Sequence, residues 1–218
     1  IKVKTHITFL EKNTISFIIF NHKNYMPSKF IPLEAGFFYH IYNHANGEDD
    51  LFKNHDNYVF FLKKYKIYLS PYVDTYAYCL MPNHFHFLIR IKEELSEKHN
   101  KLLSNALKKW FVSYAQSYNK VHKRKGNLFT QKFRRKNISS EKYLRNAIGY
   151  IHLNPVYHGF VNYPDDWKYS SFKAYLNDKP TQIHKNEALE FFDDRENFLF
   201  YHREQQIEYY AKLMEIEY

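Results

Sequence analysis

Cysteine is almost missing from this 218-residue chain. The single one, Cys79, excludes an internal disulfide and fits a reducing compartment. Long apolar runs are missing too. The longest near the N-terminus, Ile15-Ser16-Phe17-Ile18-Ile19-Phe20, is far short of the roughly 20 residues a spanning helix needs. It also lacks the small-residue cleavage pattern of a secretory signal. These absences point to a soluble, cytoplasmic protein with no membrane partner. Internal repeats and low-complexity tracts are absent as well. The remaining absence is local: from Lys98 to Ser140 there are twelve Lys and Arg residues and no Asp or Glu.

That gap locates the charge. The formal net charge is +9, yet outside this segment 20 basic residues face all 23 acidic ones. The whole positive excess therefore sits in one stretch, the electrostatic footprint of a phosphate-binding surface. Trp110, Phe111, Tyr114, Tyr118, Phe129 and Phe133 are interleaved with the charges. The plainer alternative is a solvated helix face followed by a loop. With 21 Tyr and 20 Phe in the chain, aromatic enrichment is partly a property of the whole sequence.

The length and a hydrophobic content of 44% allow one sizeable core plus extensions rather than two full domains. Residues 1–30 read as an N-terminal extension, and Met26-Pro27-Ser28-Lys29-Phe30 resembles a natural start. Phe37–Asn43 is rich in β-formers and Asn46-Gly47 marks a turn. An amphipathic helix is expected over 52–68, beginning near Asp56 and ended by Pro71. Val73–Leu80 and His84–Ile91 read as a hairpin around Met81-Pro82-Asn83. Ser96 is a fair N-cap for a long helix to about Val121, with Leu103, Leu107, Trp110, Tyr114 and Tyr118 as its buried stripe. Leu128–Ile138 is basic and extended. Ser140 caps a further helix to about Leu153, which Pro155 cannot prolong. The order β, α, β, β, α, basic loop, α predicts an α+β fold, an antiparallel sheet with helices packed on one face. From Asp178 the tail carries ten acidic and five basic residues and reads as helical near 187–192 and 196–214.

Two segments could carry chemistry. In a strand, residues two apart share a face. His84 and His86 therefore project together, while Phe85 and Phe87 point into a core. Two neutral imidazoles side by side are part of a metal site lacking a third ligand. Such a pair is also what an ordinary surface or hydrogen-bonded His-x-His looks like. On the helix from Ser140, Tyr150 and Asn154 are neighbours one turn apart. The stripe Leu144, Ile148, Ile151 could lean them against the sheet face that bears the histidines. His84, His86 and Asn154 would then surround one divalent cation, Mg²⁺ or Mn²⁺ if a phosphate adds oxygen ligands. Tyr150 would be a nucleophile toward a phosphodiester, its ionisation helped by the cation. The bland readings are a packed helix tyrosine and a helix-terminal asparagine.

These residues resemble a known family. Ala77-Tyr78-Cys79-Leu80-Met81-Pro82-Asn83-His84-Phe85-His86-Phe87-Leu88 looks like the His-hydrophobe-His motif of single-tyrosine transposases. Tyr150-Ile151-His152-Leu153-Asn154-Pro155-Val156 is similar to their catalytic-tyrosine helix, especially that of REP-associated tyrosine transposases. Supporting matches are Tyr39-His40-Ile41-Tyr42-Asn43, Gly126–Phe133 and Trp167–Phe172, so the resemblance covers about 36–176. The family often has Arg-Gly where this chain has His44-Ala45, and Arg-Ala where it has Tyr157-His158.

The resemblance implies a ferredoxin-like or RRM-like sheet in a catalytic domain over 31–176, followed by an acidic helical extension over 177–218. It implies cleavage of single-stranded or hairpin DNA by Tyr150 through a 5′-phosphotyrosine, and strand transfer by attack of a 3′-hydroxyl. His84, His86 and Asn154 carry over as ligands of Mg²⁺ or Mn²⁺. Lys123, Arg124, Lys125, Lys132, Arg134, Arg135 and Lys136 become candidate contacts to the DNA backbone, and Phe129 is a candidate base-stacking ring or, equally, a core residue. Both monomeric and homodimeric forms are compatible with it. Two rivals share the fold: a catalytically silent single-strand nucleic-acid binder or regulator, and a hydrolytic metallonuclease in which Tyr150 is structural.

Overall fold

The computed structural model describes residues 32–93, 97–130 and 132–205. The expected N-terminal extension, the Ser96 cap and the tail beyond residue 205 lie outside the described residues. Strand β1 (Phe38–His44) is followed by helix α1 (His55–Leu69), the hairpin β2 (Val73–Leu80) and β3 (His84–Ile91), helix α2 (Glu97–Val121) and strand β4 (Arg134–Ile138). Helix α3 (Glu141–Tyr157) comes next. A 3₁₀ turn at Pro164–Asp166 precedes the short helices α4 (Phe172–Tyr175), α5 (Lys185–Glu190) and α6 (Arg195–Glu204). The four strands lie in the order β2-β3-β1-β4, every neighbour antiparallel. A βαββαβ chain in that order is the ferredoxin-like arrangement.

Both faces of the sheet are covered. Phe85, Phe87, Ile89 and Ile91 point toward α1 and α2, where they meet Phe61, Tyr65, Trp110 and Tyr114. The opposite face, with Tyr76, Cys79 and Leu88, packs against Leu144, Ile148 and Ile151 of α3. The sequence anticipates helices on one face only, and the structure corrects this. β3 is buried almost end to end, so it lacks the apolar–polar alternation of a strand with one wet side. Phe129 packs edge-on to Phe85 and Phe111 at the margin of the first core.

Local chemistry sets the helix ends. Asn54 caps α1 by accepting from the Asn57 N–H, and Ser140 caps α3 by accepting from the Tyr143 N–H at 3.2 Å. Against expectation, α3 runs through Pro155. The missing proline N–H costs one bond in the last turn, and the following residues close it. His158 N donates to Asn154 O at 3.0 Å, and Phe160 N donates to Pro155 O at 2.9 Å. Gly159, at φ +70°, then ends the helix in the left-handed conformation that suits glycine. Asn154 thus stays helical, one turn after Tyr150.

The chain beyond α3 is anchored to the outer edge of β2. Leu80 N donates to Tyr169 O, Ser171 N to Tyr78 O and His184 N to Thr75 O, at 2.8–2.9 Å. This covers an edge that would otherwise present unpaired backbone groups. Phe172, Tyr175, Ala188, Phe192 and Phe198 complete the second core beneath α3. Among the described residues no helix is long and apolar enough to cross a membrane.

Candidate active site

The register of the sheet assembles the site. Tyr42 of β1 pairs with His86 of β3, His44 with His84, and His40 with Leu88. Directly opposed residues share a face. His40, Tyr42, His44, His84 and His86 therefore form one patch on the side covered by α3. His84 and His86 are 2% and 0% exposed, and Asn154 and Tyr150 are 0% and 3%.

Asn154 meets both expected histidines. Its Oδ1 lies 2.9 Å from His84 Nε2, and its Nδ2 lies 3.4 Å from His86 Nε2. The Tyr150 ring stands edge-on to His86 with centroids 5.3 Å apart, and to His40 at 6.1 Å. The four residues singled out in two distant segments are thus brought together. Each histidine also has a neighbour at its other nitrogen: Asn83 Oδ1 is 2.7 Å from His84 Nδ1, and His40 Nε2 is 2.9 Å from His86 Nδ1. Both imidazoles turn Nε2 toward Asn154.

Burial, with His44 alongside, pulls His84 down to about 3, and burial with Lys136 nearby does the same to His40. Burial, then Arg134 and His158, lowers His44 to about 4, and burial followed by the surrounding histidines holds His86 well below the usual range. The cluster is therefore neutral at physiological pH, with lone pairs available.

The donor chemistry suits a divalent cation. Two imidazole nitrogens and one amide oxygen converge, and water and phosphate oxygens would complete the shell that Mg²⁺ or Mn²⁺ prefers. His84 supports this fit. It faces an amide oxygen at each nitrogen, yet a neutral imidazole carries one N–H. A cation between Nε2 and the Asn154 oxygen removes the mismatch, as does a turned-over Asn154 amide. Among the described residues no three His, Cys, Asp or Glu side chains are arranged to hold a metal, so the set depends on the Asn154 amide.

The seven basic candidates separate. Arg134 pairs with Tyr42 and Lys136 with His40, which puts both on the histidine face. Arg135 pairs with Ile41 on the other face, its guanidinium 5.4 Å from the Phe133 ring centre. Arg124 is bound to Asp49 and to the carbonyls of Gly126 and Asn127, which fastens the turn after α2. Lys123, Lys125 and Lys132 are exposed.

Sequence reasoning missed His40, Asn83, His44 and His158. His44 stacks on His84 with ring centres 4.9 Å apart, and His158 meets His84 edge-on at 5.1 Å. A signal was available for the first strand: His40, Tyr42 and His44 alternate with period two. Only the inter-strand register reveals that this face meets His84 and His86.

No protein-family model matches the chain. A curated Haemophilus influenzae protein named as a REP-associated tyrosine transposase is 30% identical over 103 residues, which cover 45% of this chain. The chain spans 58% of that relative, under two thirds of its length. A solved structure of a REP-associated tyrosine transposase bound to a REP hairpin superposes with a TM-score of 0.51 at 18% identity, covering 71% of this chain and 83% of that one. The chain therefore has the fold of a REP-associated tyrosine transposase and, over the aligned residues, the sequence likeness of another.

Proposed function

We propose that this protein is a metal-dependent, single-strand DNA nicking and strand-transfer enzyme, a transposase in which Tyr150 is the covalent nucleophile. One observation carries the reading: Tyr150 and the donor set His84, His86 and Asn154 meet on one side of the sheet, although they come from segments far apart in the chain. The likeness to transposases, one of them bound to a REP hairpin, supports single-stranded or hairpin DNA as the substrate.

His84, His86 and Asn154 would hold Mg²⁺ or Mn²⁺, which when bound polarises the scissile phosphodiester as a Lewis acid. The Tyr150 phenol gives its proton to solvent and bonds to phosphorus while the bond to the 3′ oxygen breaks, and that oxygen takes up a proton from solvent. The leaving strand keeps a 3′-hydroxyl, and the other end is held as a 5′-phosphotyrosine. Attack by a 3′-hydroxyl on that linkage releases Tyr150 and joins strands, with no nucleotide cofactor needed. α3 fixes the nucleophile one turn from Asn154, so phenol and phosphate meet already oriented. Arg134 and Lys136 supply positive potential on the same face for the DNA backbone.

The test is covalent trapping. The protein and its Tyr150→Phe variant are incubated with labelled single strands tiling the DNA around its own gene, with Mg²⁺ or Mn²⁺. A metal-dependent adduct on denaturing gels, absent from the variant, is the expected result. Cleavage without an adduct, unchanged in the variant, would instead identify metal-activated water as the nucleophile. Binding without cleavage would identify a silent binder.

A further inference from the structure

We infer that His40 is a positioning residue that sets which nitrogen of His86 faces the cation. The inference rests on the reading of His84, His86 and Asn154 as a cation site. His40 is fully buried, and its Nε2 lies 2.9 Å from His86 Nδ1. The two rings lie side by side, 27° from parallel with centres 5.0 Å apart, and the Tyr42 ring is 24° from parallel to His40 at 4.9 Å. His40 is opposite Leu88, two residues along from His86 on the same face, so the two rings meet diagonally across the strands.

A neutral His86 has one proton for two nitrogens. With that proton on Nε2, the nitrogen turned toward Asn154 has no lone pair to give. With it on Nδ1, a buried N–H needs an acceptor, and His40 Nε2 is the atom in place. His40 therefore stabilises the form of His86 whose Nε2 lone pair points at the Asn154 side of the site. Asn83 Oδ1 stands in the same relation to His84 Nδ1. Outer partners of this kind orient ligand imidazoles and raise their basicity. In this arrangement the proton of His40 itself sits on Nδ1, which has no hydrogen-bond partner among the described residues. The reverse sense, His40 Nε2–H to His86 Nδ1, puts the His86 proton on Nε2, where it faces the Asn154 Nδ2 amide, itself a donor. Asn154 Nδ2, as placed, needs the His86 Nε2 lone pair that the first arrangement supplies.

Two substitutions separate this role from packing. His40→Phe keeps a ring against Tyr42 and His86 but removes the acceptor. His40→Gln loses the ring but can present an amide oxygen near the Nε2 position. Mn²⁺ affinity, measured by titration calorimetry on the full chain, is expected to fall about 10- to 100-fold in His40→Phe and to recover largely in His40→Gln. Imidazole ¹⁵N–¹H correlation spectra of the wild-type protein before metal is added are expected to show His86 protonated on Nδ1. Equal Mn²⁺ affinity in His40→Phe and wild type would overturn the inference, as would His86 protonated on Nε2 in the metal-free protein. The spectra decide the matter if the Phe variant fails to fold. Wild-type protein that takes up neither Mg²⁺ nor Mn²⁺ would overturn the cation site itself, a distinct result.

Discussion

His84 Nε2 and Asn154 Oδ1 lie 2.9 Å apart although 70 residues separate them in the chain. The contact ties β3 to the last turn of α3, and it gives the first prediction. Asn154→Ala removes the oxygen, so Mn²⁺ affinity is expected to drop about tenfold or more with loss of nicking. Asn154→Asp keeps an oxygen and adds a charge suited to a hard cation, so it should bind Mn²⁺ more tightly than wild type. Calorimetry on both variants checks this. An alanine variant that binds Mn²⁺ as wild type does would remove Asn154 from the site.

The basic residues of β4 should differ by face. Arg134 and Lys136 lie on the histidine side, Arg135 on the other. Replacing Arg134 and Lys136 together with Ala should weaken single-strand binding. It should also lower the slope of log affinity against log salt by about 1.4, for two lost phosphate contacts. Arg135→Ala should leave the slope unchanged. Fluorescence anisotropy across a salt series measures both, and equal slopes for all variants would place the DNA elsewhere.

The C-terminal helices should matter to the whole fold. Phe198 of α6 is fully buried against Tyr175, Phe172 and His202, with ring centres 4.7, 5.7 and 4.2 Å away. Phe198→Ala should cost about 3–5 kcal/mol and lower the urea midpoint of a single cooperative transition. Partial unfolding of the tail with the main transition unmoved would mean that α6 is dispensable to the second core.

Stability should also fall in mild acid. Burial pulls His202 down to about 4, and burial together with His202 holds His152 well below the usual range. His152 Nδ1 lies 3.1 Å from His202 Nε2, and His202 Nδ1 donates to the Phe198 carbonyl at 2.8 Å. Both folded pKa values lie below the unfolded one, so between about pH 6.5 and 4 the unfolded chain binds more protons. Stability is complete above the unfolded value and declines as pH drops, by about 1.4 kcal/mol per unit for each group involved. Urea midpoints at pH 7, 5.5 and 4.5 should fall for wild type and fall less steeply for His202→Gln. Identical pH profiles would exclude His202.

Much of the site was legible because its signals are local. The alternation in His84–Ile91, the turn at Met81-Pro82-Asn83 and the Ser140 cap each depend on a few neighbouring residues, and the elements formed there. Pro155 looks like a helix stop because its local cost is visible in the sequence and the bonds that His158, Gly159 and Phe160 contribute are not. His40 and Asn83 were invisible as partners of His86 and His84 for another reason. A hydrogen bond across strands depends on register, and register is fixed by pairings between segments tens of residues apart. The same holds for the second helical layer. Phe172, Tyr175, Phe192 and Phe198 show their apolar character in the sequence, but not that α3 is what they cover.

α3 is gripped from two sides, by the sheet through Leu144, Ile148 and Ile151 and from behind by the aromatic layer of α4 and α6. It is a fixed anvil rather than a piston. To travel toward or away from β3 it would have to breach one of two filled interiors. If the proposed reaction at Tyr150 holds, the DNA strand is the partner that has to move to meet it.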